Sequence, residues 1–149
     1  MGKLYLIRDA QASFGAENYD KLSELGHEQS IALGKALSEQ GIEPDVWVLG
    51  DMHRHLETVQ GISEGMGISN PTPLIHSGLN EFDFTGLLNA RYVGQHAPEN
   101  MHGDRKTHFR ILRQTVLAWQ QGEIENPPET WEAFVNLIEA ARKFIVKQE

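Results

Sequence analysis

Short apolar runs alternate along this chain with stretches of helical period. Residues 3–8, KLYLIR, are a brief apolar run that ends on charge, which predicts a buried strand entering a polar turn. A loop of small and polar residues, DAQASFGAENYDK, follows. Ser23 then predicts a helix N-cap. Leu25, Gln29, Ala32, Leu33, Ala36 and Leu37 share one face at helical spacing, and Gly41 stops the helix. DVWVLG (45–50) predicts a second strand, MHRHLETVQGISEGMG (52–67) a helix ended by Gly67, and TPLIHS (72–77) a third strand.

This strand–helix–strand–helix–strand order predicts an α/β fold, a parallel sheet covered by helices. In such folds ligands bind beyond the carboxyl ends of the strands. Arg8, Asp9, Gly50 and Glu81 all lie at or just after predicted strand ends. Residues 82–103 show no clean period and several Gly, Asn and Pro, which predicts an irregular excursion shaped like a lid. Two amphipathic helices follow: Phe109, Leu112, Val116 and Trp119 form one stripe, and Trp131, Phe134, Val135, Ile138 and Ile145 another, opened by NPPE. No internal repeat, low-complexity tract or linker interrupts the chain, so one domain over residues 1–149 is expected.

Composition changes this picture in two ways. Thirteen basic against 21 acidic residues give a net charge of −8, which argues against nucleic-acid or anionic-membrane partners and requires any anion site to be local. The absence of cysteine removes disulfides, thiol catalysis and thiolate metal sites. The apolar run at the N-terminus is too short for a signal peptide or a membrane span, and Leu6 stands where a myristoylation signal needs Ser or Thr, so a cytoplasmic location is expected.

Chemistry on a phosphate ester needs cations with fork geometry, a nucleophile, and an acid near the leaving oxygen. Arg8 and Arg54 at the strand ends and Glu81 after the third strand supply part of that set. Each is weak alone, since a strand-end arginine is most often a surface ion pair and a loop glutamate is most often simply solvated. The histidines read blandly. His53 and His55 point apart on a helix, His76 reads as packed or surface, and His96, His102 and His108 are scattered. No metal site and no cofactor is expected.

Four segments in order resemble the histidine phosphatase superfamily, the phosphoglycerate-mutase-like group: LIRDAQAS (6–13), LSELGHEQSIALGKAL (22–37), LGDMHRHLET (49–58) and LNEFDFTG (79–86). The first is similar to the family's strand ending in Arg-His-Gly, the second to its Leu-Thr-x-x-Gly-x-x-Gln helix start. The third resembles Ser-x-Leu-x-Arg-x-x-x-Thr, with Gly50, Met52, Arg54 and Thr58 at the defined positions, and the fourth Leu-x-Glu-x-x-x-x-Gly. The resemblance implies Arg8 and Arg54 as phosphate ligands, Glu81 as general acid, and residue 9 as the nucleophile position.

Two departures weigh against ordinary activity. The nucleophile position holds Asp9, followed by Ala10, instead of His-Gly. The family's later strand, which carries a second histidine and lies between the first two strands, has no counterpart before the chain ends at KFIVKQE. The expected fold is therefore phosphoglycerate-mutase-like but lacking a central strand. Either the first two strands pair directly, or a segment of another copy fills the slot, or the chain is a fragment of a longer product; a homo-oligomer is expected. A carboxylate nucleophile usually recruits Mg²⁺, and the second acid that would help hold one is replaced by Gln11. Three function classes follow: an impaired phosphatase-like domain that binds phosphate ion or a phosphorylated small molecule; an active phosphatase, or variant of one, acting on a phosphorylated metabolite or phosphoprotein; and a protein-interaction module.

Overall fold

The structure, a computed structural model, describes residues 2–98 and 103–148. Two compact units make up the chain, one formed by residues 1–80 with 140–149 and the other by residues 81–139.

In the first unit, α1 (Glu24–Glu39) and α2 (His53–Met66) pack along each other, and the same unit holds a small parallel sheet. The sheet pairs β1 (Val48–Leu49) with β2 (Leu74–Ile75), Val48 opposite Leu74 and Leu49 opposite Ile75. Both strands are shorter than the runs that predicted them. Ser23 caps α1 as expected, its hydroxyl accepting from the Gly26 amide. Gly67, in the left-handed region at φ 74°, ends α2.

Two expectations fail here. Residues 3–8 form no strand: they take no part in the sheet, and Leu4, Tyr5, Leu6 and Ile7 are exposed. Strand composition makes a strand only when an edge lies within hydrogen-bonding reach, and this segment has none. The buried face of α1 is also not the predicted apolar one. Gly26, Ser30 and Gly34 are buried, while Leu25, Gln29, Ala32 and Ala36 are exposed. The reason lies in α2. Gly61 and Gly65 sit against Ser30 and the Ile31 carbonyl, and Gly34 sits against the Ile62 carbonyl, so the helices approach backbone to backbone. Small residues permit that approach where leucines would hold the axes apart.

In the second unit the excursion predicted at 82–103 contains a helix, α3 (Phe84–Arg91), capped by Asp83, whose carboxylate accepts from the Gly86 amide at 2.9 Å. The cap offsets a weak apolar period, which explains why the sequence pattern hides the helix. Residues 99–102, His102 among them, lie outside the described residues. α4 (Arg105–Gln120) buries Ile111, Thr115 and Trp119, not the Phe109–Leu112–Val116 stripe, and Phe109 is exposed. Trp119 centres the core of this unit, packed with Leu87, Ile124, Phe82, Trp131 and Phe134. Its indole donates to the Glu129 carbonyl at 2.8 Å. α5 (Trp131–Val146) gives Trp131 and Phe134 to that core, while Val135 and Ile138 are exposed. No helix among the described residues is long and apolar enough to cross a membrane.

The glycine contact makes a direct test. Gly34→Ala puts a methyl group into the Ile62 carbonyl. Overpacking of this kind costs about 1–3 kcal/mol, of which the better helix propensity of alanine returns up to about 1. A net loss of about 1–2 kcal/mol in the urea unfolding free energy is expected, with α-helical circular dichroism retained.

Candidate functional site

Asp9 and Arg54 meet where residues 9–12 approach the start of α2. β1 ends at Leu49 and α2 begins at His53, so the first turn of α2 lies just past the carboxyl end of that strand. Three contacts draw the end of the extended N-terminal segment to the same place. The Asp9 carboxylate accepts from Arg54 Nε at 2.8 Å. The Ala10 amide donates to Thr58 Oγ1 at 3.2 Å, and the Gln11 amide to Gln29 Oε1 at 3.1 Å. Residues 3–8 and β1 therefore end at one edge, as a parallel arrangement requires.

Arg54 is the fixed element. It is 3% exposed, an unusual place for a guanidinium unless it is paired. Besides Asp9, it lies 3.9 Å from an Asp20 oxygen, and its guanidinium carbon stacks 5.2 Å from the centre of the Tyr19 ring. Thr58, one turn on, donates its hydroxyl to the Arg54 carbonyl at 2.8 Å while it receives the Ala10 amide. The i, i+4 spacing of Arg54 and Thr58 thus serves both the helix and the incoming chain.

Asp20 does for α2 what no neighbour in sequence does. Met52, at the N-cap, has no capping side chain. The Asp20 carboxylate accepts instead from the His53 amide at 3.0 Å and the Arg54 amide at 3.2 Å. Burial pushes the Asp20 pKa up, but the two amide hydrogen bonds and the Arg54 charge outweigh it and hold it below the ordinary 3.8. Glu57, on the same helix, accepts from His27 and His53, each at 2.9 Å. Among the described residues no group of three or more His, Asp or Glu side chains converges as a metal site.

The structure brings Asp9 and Arg54 into direct contact. Arg8 precedes Asp9 on the exposed segment, lines the same cleft as Asp9, and has no hydrogen bond or ion pair among the described residues. Glu81 is exposed and opens the second unit. Gly50 is needed for space: a Cβ there would collide with Asn80 Oδ1 and lie 2.6 Å from His55 Nδ1. His76, assigned no catalytic part, accepts from the Gly78 amide at 3.0 Å and packs on the Phe144 ring at 5.1 Å. Sequence pattern missed Tyr19 and Asp20. Both come from an irregular loop, and capping across 33 positions leaves no local signal. Thr58 was visible only as a motif position.

The cap sets a stability expectation. Asp20→Ala should cost about 0.5–2 kcal/mol, the usual range for a lost helix cap. Because the folded pKa of Asp20 is lowered, its contribution is complete above the ordinary carboxylate value. It disappears as pH falls through the lowered one. Urea melts of wild type and Asp20→Ala should therefore differ at pH 7 and converge in strong acid.

Comparison with known proteins bears on the same residues. The chain is 34% identical over 94 residues to the 2,3-bisphosphoglycerate-dependent phosphoglycerate mutase of Bartonella tribocorum, covering 58% of this chain and 46% of that protein. The protein of that name from Bartonella quintana shares 34% over 94 residues, again 46% of its length. The one from Sinorhizobium fredii shares 32% over 92 residues, 44% of its length. The match thus spans less than half the length of these relatives. Residues 4–148, a run that includes the Asp9–Arg54 contact and both helices beside it, match the histidine phosphatase superfamily (branch 1), and the chain belongs to that superfamily.

Proposed function

We propose that this domain binds a phosphate group at the strand-end edge and hydrolyses phosphomonoesters poorly or not at all. The observation that carries the proposal is the 2.8 Å pair between Asp9 and the buried Arg54. The motif resemblance implies a phosphate-gripping arginine at residue 54 and a nucleophile at position 9, where the family's motif has histidine. Here the residue in the nucleophile position is a carboxylate that occupies the arginine.

The energetics oppose a bound dianion in two ways. At about 4 Å and an effective dielectric near 20, each pair of unit charges is worth about 4 kcal/mol before solvent screening. Asp9 therefore both repels phosphate and competes with it for Arg54. Chemistry suffers further, since removing an enzyme nucleophile has cost about 10⁶-fold in turnover. Arg8, accessible and unpaired among the described residues, is the second phosphate ligand.

A second reading keeps Asp9 as a working nucleophile. It is favoured by the exposure of the Asp9 side chain, 25% against 4% for that of Arg54, which leaves a carboxylate oxygen reachable from solvent. The relatives are named as phosphoglycerate mutases, so inorganic phosphate and 2,3-bisphosphoglycerate are the first ligands to try.

Titration calorimetry and an aryl-phosphate assay test the proposal. Wild type should bind inorganic phosphate weakly. Asp9→Asn should tighten it by about tenfold or more, the equivalent of about 1.4 kcal/mol, and Arg54→Ala should abolish it. No phosphate binding to wild type or to Asp9→Asn defeats the proposal. Aryl-phosphate turnover that disappears in Asp9→Ala shows instead that the carboxylate acts. Circular dichroism must accompany all three variants, because breaking a buried ion pair can cost about 3–5 kcal/mol.

A further inference from the structure

The loop from residue 13 to residue 21 carries two large aromatic rings to the edge where Asp9 meets Arg54. Its ends are tied together: the Ser13 amide donates to the Lys21 carbonyl and the Ser23 amide to the Gln11 carbonyl, each at 2.9 Å. Within the loop the Ala16 amide donates to the Ser13 carbonyl at 3.1 Å, and Gly15 turns the backbone through the left-handed region at φ 81°. The Asp20 amide donates to Asn18 Oδ1 at 3.1 Å. A short loop closed at its base and braced inside holds its side chains in place, and compact loops of this kind are frequently functional.

The rings it holds are Phe14 and Tyr19, 69% and 46% exposed. Their centroids lie 6.2 Å apart with the planes at 79°, edge to face. Tyr19 also stacks on the Arg54 guanidinium. Arg54, Tyr19 and Phe14 therefore form a row of contacts that runs from a buried cation to an exposed apolar ring. A group that reaches Arg54 from solvent has this aromatic surface beside it.

Charge limits what else such a ligand can carry. The carboxylates next to the guanidinium are Asp9 and Asp20. Arg8 and Arg54 set against Asp9 and Asp20 leave no net positive charge for an anionic group beyond the first phosphate. The rest of the ligand is best accommodated if it is neutral and flat.

We propose, on the reading of Arg54 as a phosphate ligand, that the phosphate bound there belongs to a monoester with a neutral aromatic body, whose ring lies against Tyr19 and Phe14. The phosphate takes the arginines, and the ester oxygen leads outward onto the exposed rings. Offset or edge-to-face contact between ligand and protein rings then selects for an aromatic body. 2,3-Bisphosphoglycerate, the compound in the relatives' name, has the opposite character: it carries further anionic groups and no ring.

Titration calorimetry with phenylphosphonate and methylphosphonate tests the aromatic subsite. Both resist hydrolysis, share the same anionic head and differ by the ring. In wild type and in Asp9→Asn, phenylphosphonate should bind about three- to tenfold more tightly than methylphosphonate, the size of one aromatic contact. Phe14→Ala, at an exposed position, should cut that ratio by about half or more, and Phe14→Tyr, which keeps a ring, should retain it. 2,3-Bisphosphoglycerate should bind more weakly than phenylphosphonate. Equal binding of the two phosphonates, with inorganic phosphate still bound, overturns the subsite and leaves the phosphate reading standing. A ratio unchanged in Phe14→Ala, phenylphosphonate binding that survives Arg54→Ala, or tighter binding of 2,3-bisphosphoglycerate than of phenylphosphonate overturns it as well. If neither inorganic phosphate nor either phosphonate binds wild type or Asp9→Asn, the phosphate reading fails and the subsite fails with it.

Discussion

The ion pair between Asp9 and Arg54 is the constraint on which the first unit depends. Arg54 is buried in the first turn of α2, and a guanidinium there must be paired, because an unpaired buried charge is far more costly than a broken surface contact. Asp9 satisfies it, helped by the Tyr19 ring and, at longer range, by Asp20. The pair also fixes topology. Together with Ala10 on Thr58, it holds the N-terminal segment at the edge where β1 ends, in the absence of any backbone ladder to do so.

On the proposed reading, the same pair separates binding from catalysis. A neutral imidazole at this position could attack phosphorus and leave the arginine free for the phosphate oxygens. A carboxylate cannot do both, since its charge is attracted to the arginine and opposed to the substrate. On the proposed reading the site is a phosphate receptor with an internal competitor, and its affinity for phosphate is set by how readily Asp9 yields Arg54.

Packing around the site follows from residues that look unremarkable in sequence. The glycine and serine contacts between α1 and α2 let two helices approach closely; the Asp20 carboxylate caps the start of α2, and Gln29 of α1 accepts from the Gln11 amide. A helix whose own N-cap residue is methionine is thereby capped from a loop more than thirty positions away.

Helices α1, α2, α4 and α5, the caps at Ser23 and Gly67, the parallel pairing of the second and third strands, and the positions of Arg54 and Asp9 were legible along the chain, because each rests on local periodicity or on a motif a few residues long. The buried faces of α1 and α4, the helix inside residues 82–103, the Asp20 cap and the fate of residues 3–8 were decided only in three dimensions. Periodicity counts apolar side chains, but it does not register that glycines can bring two helices closer than leucines can. Strand composition likewise states a preference for extended backbone. Whether KLYLIR becomes a strand depends on a partner edge within about 5 Å, and among the described residues the segment has no hydrogen-bonded neighbour.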